Sequence, residues 1–143
     1  MIYTTKTKRA IQIMYQSHKN QFDKSGIPYV FHPWHVAEQM DDENSTIVAL
    51  LHDVVEDSNI TFDNFYNEDF DSLVIDALKL LTHDKDKDYY EYIEMISKNE
   101  LAKKVKIADL KHNCDLSRLN EVNQADLSRV EKYKNSIKFL ENH

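Results

Sequence analysis

The chain has 143 residues, with one glycine, two prolines and 41% hydrophobic residues. That length suits a single domain with a real core, spanning residues 1–143. So few turn formers argue against β-rich architectures, which need them roughly every 8–12 positions, and one glycine cannot build a Gly-rich phosphate loop. Twenty-five acidic residues against 18 basic ones give a net charge of −7, a poor match to the broad positive surface that nucleic-acid binding needs. A lone cysteine, Cys114, allows no internal disulfide. With no signal-peptide core and no run of membrane-span length, the expectation is a soluble cytoplasmic protein without nucleic-acid or membrane partners.

In chain order, Ile11, Met14, Tyr15, His18 and Phe22 recur at three- and four-residue spacings and predict a helix over 4–22, stopped at Gly26. Residues 27–31 read as a short extended apolar segment. Pro33 suits a first helical position and opens a helix through Met40. Ser45 is the expected N-cap of the next helix, which starts at Thr46 and runs on through Leu50, Leu51, Val54 and Val55. Ser58-Asn59 breaks it, and Thr61 caps a short helix through Phe65-Tyr66. Further helices are predicted over 72–82, 89–97, 100–113 and 124–140, with residues 83–88 as a charged, solvated connector. The sum is an all-α bundle of seven or eight helices.

The densest polar feature in an apolar setting is Leu50-Leu51-His52-Asp53-Val54-Val55-Glu56-Asp57. On a continuous helix His52 stacks with Glu56, and Asp53 with Asp57. Ionisable groups at the edge of a buried helix are costly unless they pair or bind a cation, and imidazole beside carboxylate suits Mn, Fe, Co or Zn. His32 lies at a loop–helix junction, and Asp109 and Asn113 lie one turn apart on a later helix. His32, His52, Asp53 and Asp109 together would offer two nitrogens and two carboxylates, with room for water and a phosphate oxygen. By spacing alone, paired helix residues are an equal reading.

Three ordered motifs carry a resemblance. Gly26-x-Pro28-Tyr29-x-x-His32-Pro33, Ala49-Leu-Leu-His-Asp-Val-Val-Glu-Asp57 and Lys106-Ile-Ala-Asp-x-x-His-Asn113 resemble the HD-domain metal-dependent phosphohydrolases, and more narrowly the hydrolase domain of the RelA/SpoT family. The resemblance spans about residues 5–140. It implies an all-α HD fold and Mn²⁺-dependent release of pyrophosphate from the 3′ position of (p)ppGpp, a small phosphorylated nucleotide. Position by position, it implies His32, His52, Asp53 and Asp109 as metal ligands and Glu56 and Asp57 as the acidic pair that activates and orients water. It implies Asn113 as a nucleotide contact and places Lys24 and Ser25 in the basic loop before Gly26. Lys106 and Lys111 fall in a basic stretch suited to offsetting a polyanionic substrate.

Two positions depart from the family pattern: Asp23 stands where an Arg usually precedes Lys-Ser-Gly, and Leu110 follows Asp109 in place of Arg. The first leaves the base, and the alarmone itself, open. Synthesis of (p)ppGpp is not expected, since no synthetase segment follows. The alternatives are an HD phosphohydrolase acting on another phosphorylated nucleotide or small phosphate ester, and a ligand-sensing module without turnover. Cys114 reads as a half-buried thiol, His35 and His112 as packing or supporting residues, and Tyr89, Tyr90 and Tyr92 as core plus surface. His18 and His83 carry no signal.

Overall fold

A computed structural model describes all residues, Met1–His143. The chain is all-α, with helices α1 (Thr5–His18), α2 (Phe31–Glu38), α3 (Glu43–Leu51), α4 (Val54–Asp57), α5 (Phe62–Tyr66), α6 (Ser72–Leu81), α7 (Tyr89–Ser97), α8 (Glu100–Asn113) and α9 (Gln124–Asn142). A 3-10 turn, Leu116–Arg118, links α8 to α9. No helix is long and apolar enough to cross a membrane.

Helix α3 is the axis of the bundle and packs against α1, α2, α6 and α8. Every residue from Ser45 to Leu51 is buried, the pattern of a helix surrounded by protein on all sides. Its two polar members are satisfied locally: the Ser45 and Thr46 hydroxyls both donate to the Asp42 carbonyl. The N-cap is Asp42, not Ser45; its carboxylate accepts the Ser45 N–H at 2.7 Å. Thr61 caps α5 as expected, through a reciprocal box with Asn64.

Three further boundaries differ from the sequence expectation. Helix α1 ends at His18, four residues early, and the chain then folds back on itself in a bridge between Phe22 and Pro28. Gly26, at φ +82°, forms the tip of this loop and does not terminate the helix; few other residues adopt that backbone readily. Asp23 holds the loop from within, its Oδ1 accepting the N–H groups of Ser25 (2.8 Å) and Ile27 (3.0 Å). Helix α2 begins at Phe31, so Pro33 is its third residue, where a missing N–H costs no helical bond.

The third difference bears on chemistry. The single helix expected through Val55 is interrupted at His52-Asp53, raising the count to nine. Asp53 takes φ −106°, ψ 0°, and α4 restarts after it. A continuous helix would point adjacent side chains about 100° apart. The break instead lets His52 and Asp53 face the same place.

Candidate metal centre

His52 closes α3. Its Nδ1 lies 2.6 Å from the Ala49 carbonyl, which can only accept, so Nδ1 carries the proton and Nε2 presents a lone pair. That buried Nε2 has no hydrogen-bond partner. It lies 3.1 Å from Asp53 Oδ2 and 3.4 Å from Asp109 Oδ1. His32, in the first turn of α2, places Nε2 2.8 Å from Asp109 Oδ1 and 3.8 Å from Asp53 Oδ2. Its Nδ1 is 2.7 Å from Nδ1 of His112. Burial first, then the Arg118 cation, pushes His112 down to about 4, so His112 is neutral at neutral pH. His32 Nδ1 and His112 Nδ1 share one proton between them, while His32 Nε2 faces Asp109 Oδ1 in the cluster. His112 is in turn stacked on His35 at 4.0 Å between ring centroids.

Asp109 is 4% exposed and is held by its own helix. Lys106, three residues before it, donates to Oδ2 at 2.9 Å, and Asn113, four after it, donates to Oδ1 at 3.1 Å. Asp53 Oδ2 accepts the hydroxyl of Tyr29, whose ring packs on His18 and His32. One ligand atom each from His32, His52 and Asp109 falls within 4.8 Å of the others, with Asp53 beside both histidines. Burial opposes ionisation of Asp109, but Lys106 and His52 outweigh it and hold the carboxyl well below the ordinary range. Burial likewise opposes charge on His52, and Asp53 and Asp109 override it and raise its pKa, so without an ion they favour a second proton, on Nε2; a metal cation would take that proton's place. Two convergent imidazole nitrogens beside two ionised carboxylates attract positive charge, and the orphaned Nε2 of His52 fits a metal ligand.

A cleft of about 270 Å³ opens beside this cluster, bounded by His52, Asp53, Glu56, Lys106, Lys132 and His83 together with Leu81 and three tyrosines. Burial, then Asp53 nearby, raises Glu56 above the ordinary glutamate value, with the His83 N–H donated to its Oε1 acting the other way. Asp57, whose carboxyl burial and Asp53 also raise, does not border this cleft; its carbonyl accepts from Gln21 Nε2 at 2.7 Å. His83, without signal in the sequence, both anchors Glu56 and packs at a tilt against Tyr92, with ring centroids 4.4 Å apart. The segment read as a mere connector therefore forms part of the wall.

The expected substrate residues divide. Lys24 and Asn113 border a second cleft of about 360 Å³ with Tyr29, Arg118, Arg129 and Tyr133, and the Ser25 hydroxyl donates to the Arg118 carbonyl at 2.8 Å. Asn113 reaches Asp109 directly, and Lys106 is committed to the same carboxylate. Lys111 turns away to Glu141 on α9 and borders a groove on the other flank of His32. Tyr29 stands in the first motif without an assigned role, and Arg118 and Arg129 escaped the sequence reading because nothing in their local spacing marks them; only the fold brings the Gly26 loop, the 3-10 turn and α9 together.

No family model matches the chain. It is 31% identical over 139 residues to a probable guanosine-3′,5′-bis(diphosphate) 3′-pyrophosphohydrolase of Synechocystis sp., covering 87% of this chain and 18% of that protein. It is 36% identical over 78 residues to a guanosine-3′,5′-bis(diphosphate) 3′-pyrophosphohydrolase of Borreliella burgdorferi, covering 52% of this chain and 12% of the relative. The chain thus spans less than a fifth of the length of these curated relatives. A solved structure described as a metazoan ortholog of SpoT that hydrolyses ppGpp superimposes with a TM-score of 0.74 at 24% identity, covering 98% of this chain and 87% of the other. The resemblance to the RelA/SpoT hydrolase domain holds in sequence and in fold. Both departures from that domain's pattern have structural counterparts. Asp23 holds the Gly26 loop and lies 3.9 Å from Arg118 Nη2. Leu110 is 1% exposed in the core, where an Arg would have no partner.

Proposed function

We propose that the chain is a metal-dependent phosphohydrolase, one domain over residues 1–143, that releases pyrophosphate from guanosine 3′,5′-bis(diphosphate) with Mn²⁺ as its metal. The observation that carries this reading is the buried, partnerless Nε2 of His52 converging with His32, Asp109 and Asp53 at the edge of an open cleft. His32, His52, Asp53 and Asp109 would hold the ion, which when bound supplies a water of lowered pKa and neutralises phosphoryl charge. Glu56 takes up the proton of the attacking water, its carboxylate oriented by the His83 N–H. Asp57 lies outside this cleft but close enough to Asp53, His52 and His32 to feel their charges, and its part would be to orient that water across the metal cluster. Lys106 and Asn113 keep Asp109 ionised and in place, and Lys24 and Ser25 present the loop that meets the nucleotide.

A panel of ppGpp, nucleoside mono- and triphosphates and NADPH, incubated with Mn²⁺, tests the reading. Pyrophosphate from ppGpp is the expected product. His52→Ala and Asp53→Ala lose metal and turnover together, while Glu56→Gln keeps the metal and loses at least about a hundredfold in kcat. Full activity of Asp53→Ala refutes the assignment. Asp23, an acid beside Lys24 at the second cleft, favours one alternative: the same chemistry on another phosphorylated nucleotide, which the panel separates.

A further inference from the structure

The cleft beside the metal cluster is lined by groups of both charges. His52, Asp53 and Glu56 line it, and so do two cations, Lys106 on α8 and Lys132 on α9. These two lysines are in different states. Lys106 is half-buried and bonded to Asp109 at 2.9 Å, so its charge is already used. Lys132 has no carboxylate partner, although Lys24, Lys104, Lys106 and Lys111 all do. Its Nζ instead rests 3.8 Å from the centroid of the Tyr89 ring. Tyr89 is fixed by the Ser136 hydroxyl, which donates to its phenolic oxygen at 3.2 Å.

A ring face orients an ammonium without consuming its hydrogen-bond donors. Lys132 is therefore held at the cleft with its donors free. A single phosphate at the metal cluster does not need this second cation; a phosphate chain that continues along the cleft does.

We propose that Lys132 is a substrate-binding residue that takes the outer phosphate of a diphosphate whose inner phosphate sits at the metal cluster. The proposal rests on the phosphohydrolase reading and deepens it: Lys132 selects a group of two phosphates over one as the unit released from the 3′ oxygen to water. Its π contact with Tyr89 sets where the ammonium waits, and charge-assisted hydrogen bonds to phosphate oxygens form on binding.

The test measures binding of inorganic pyrophosphate and of orthophosphate to the full-length Mn²⁺-loaded protein by calorimetry, with metal content determined alongside. Lys132→Met is expected to weaken pyrophosphate about ten- to hundredfold, to leave orthophosphate within about twofold, and to keep the wild-type metal content. Lys132→Arg, which retains the charge, is expected to stay near the wild type. Equal loss for both anions, no loss for pyrophosphate, or a wild type that does not bind pyrophosphate overturns the proposal. These results stand apart from the reaction: a protein that shows the Lys132-dependent preference for pyrophosphate but leaves ppGpp intact refutes the assigned substrate and keeps the diphosphate subsite.

Discussion

Replacing Tyr29 by phenylalanine removes one oxygen atom and tests the centre from its outer side. The Tyr29 hydroxyl donates to Asp53 Oδ2, and its ring packs on His18 and His32 with centroids 5.1 and 5.7 Å away. Phenylalanine keeps those ring contacts and deletes only the donor. A hydrogen bond to an ionised acceptor contributes about 1.5–3 kcal/mol. The Asp53 side chain is 18% exposed, so water replaces part of the loss, and the lower end, about 1.5 kcal/mol, is the expected cost. That corresponds to roughly tenfold in an equilibrium constant, at the low end of the 10–100-fold typical when a partner of a metal ligand is removed. Competition of the protein against a chelating dye for Mn²⁺ at neutral pH measures it directly, and far-UV circular dichroism checks that the bundle is intact. Saturating Mn²⁺ should restore most of the turnover. Mn²⁺ affinity within about twofold of the wild type would show that Tyr29 does not orient Asp53 for a metal, and the reasoning fails.

Gly26→Ala should destabilise by about 1–2 kcal/mol in urea unfolding, because the φ of +82° is strained for alanine even though nothing lies within 4 Å of the added Cβ; Gly26→Asn should lose less. Asp42→Ala should cost about 1 kcal/mol by removing the α3 cap. The Ser45 N–H holds the Asp42 carboxyl below its ordinary value, so the cap's contribution is full above the ordinary aspartate range and is lost as pH falls through the depressed value. The gap between wild type and Asp42→Ala, measured by urea midpoint, should therefore narrow in acid. Mn²⁺ at a hundred times its Kd should add about 2.7 kcal/mol of stability, seen as a raised Tm that excess EDTA reverses. Asp109→Ala should abolish that rise.

Helical spacing made most of the fold legible: the all-α class, the positions of the five helices α5 to α9 and the apolar α3 segment all follow from period and composition. The boundaries it missed share a cause. Phe22 continues the period of α1, yet it pairs with Pro28 because Asp23 and Gly26 turn the chain back. Ser45 looks like a cap, but the better acceptor, Asp42, lies three residues earlier. The site was legible where its residues lie in motifs, as with His32, His52, Asp53 and Asp109. His83, Arg118 and Lys132 come from three separate segments, and their roles depend on tertiary proximity that no local pattern encodes; Tyr29 lies in a motif, but its bond to Asp53 shows only in the fold.

The interruption at His52-Asp53 shows why the motif needs more than helical spacing. Consecutive residues of one helix cannot both aim at a single point. Ending α3 at Leu51 frees the His52 ring to donate Nδ1–H to Ala49, a carbonyl in the last turn of that helix, and so directs Nε2 outward. Asp53, left between helices, turns its carboxylate to the same locus and meets Tyr29 from the Gly26 loop. α4 then resumes for one turn and carries Glu56 to the cleft. The apolar run before the break buries α3 so completely that its end cannot shift, and the cluster inherits that rigidity. The lone glycine acts from the opposite side, shaping the loop that delivers Tyr29 and His32. The helix break and the Gly26 turn together place donors from α2, α3 and α8 around one point, an arrangement that no single helix face could provide.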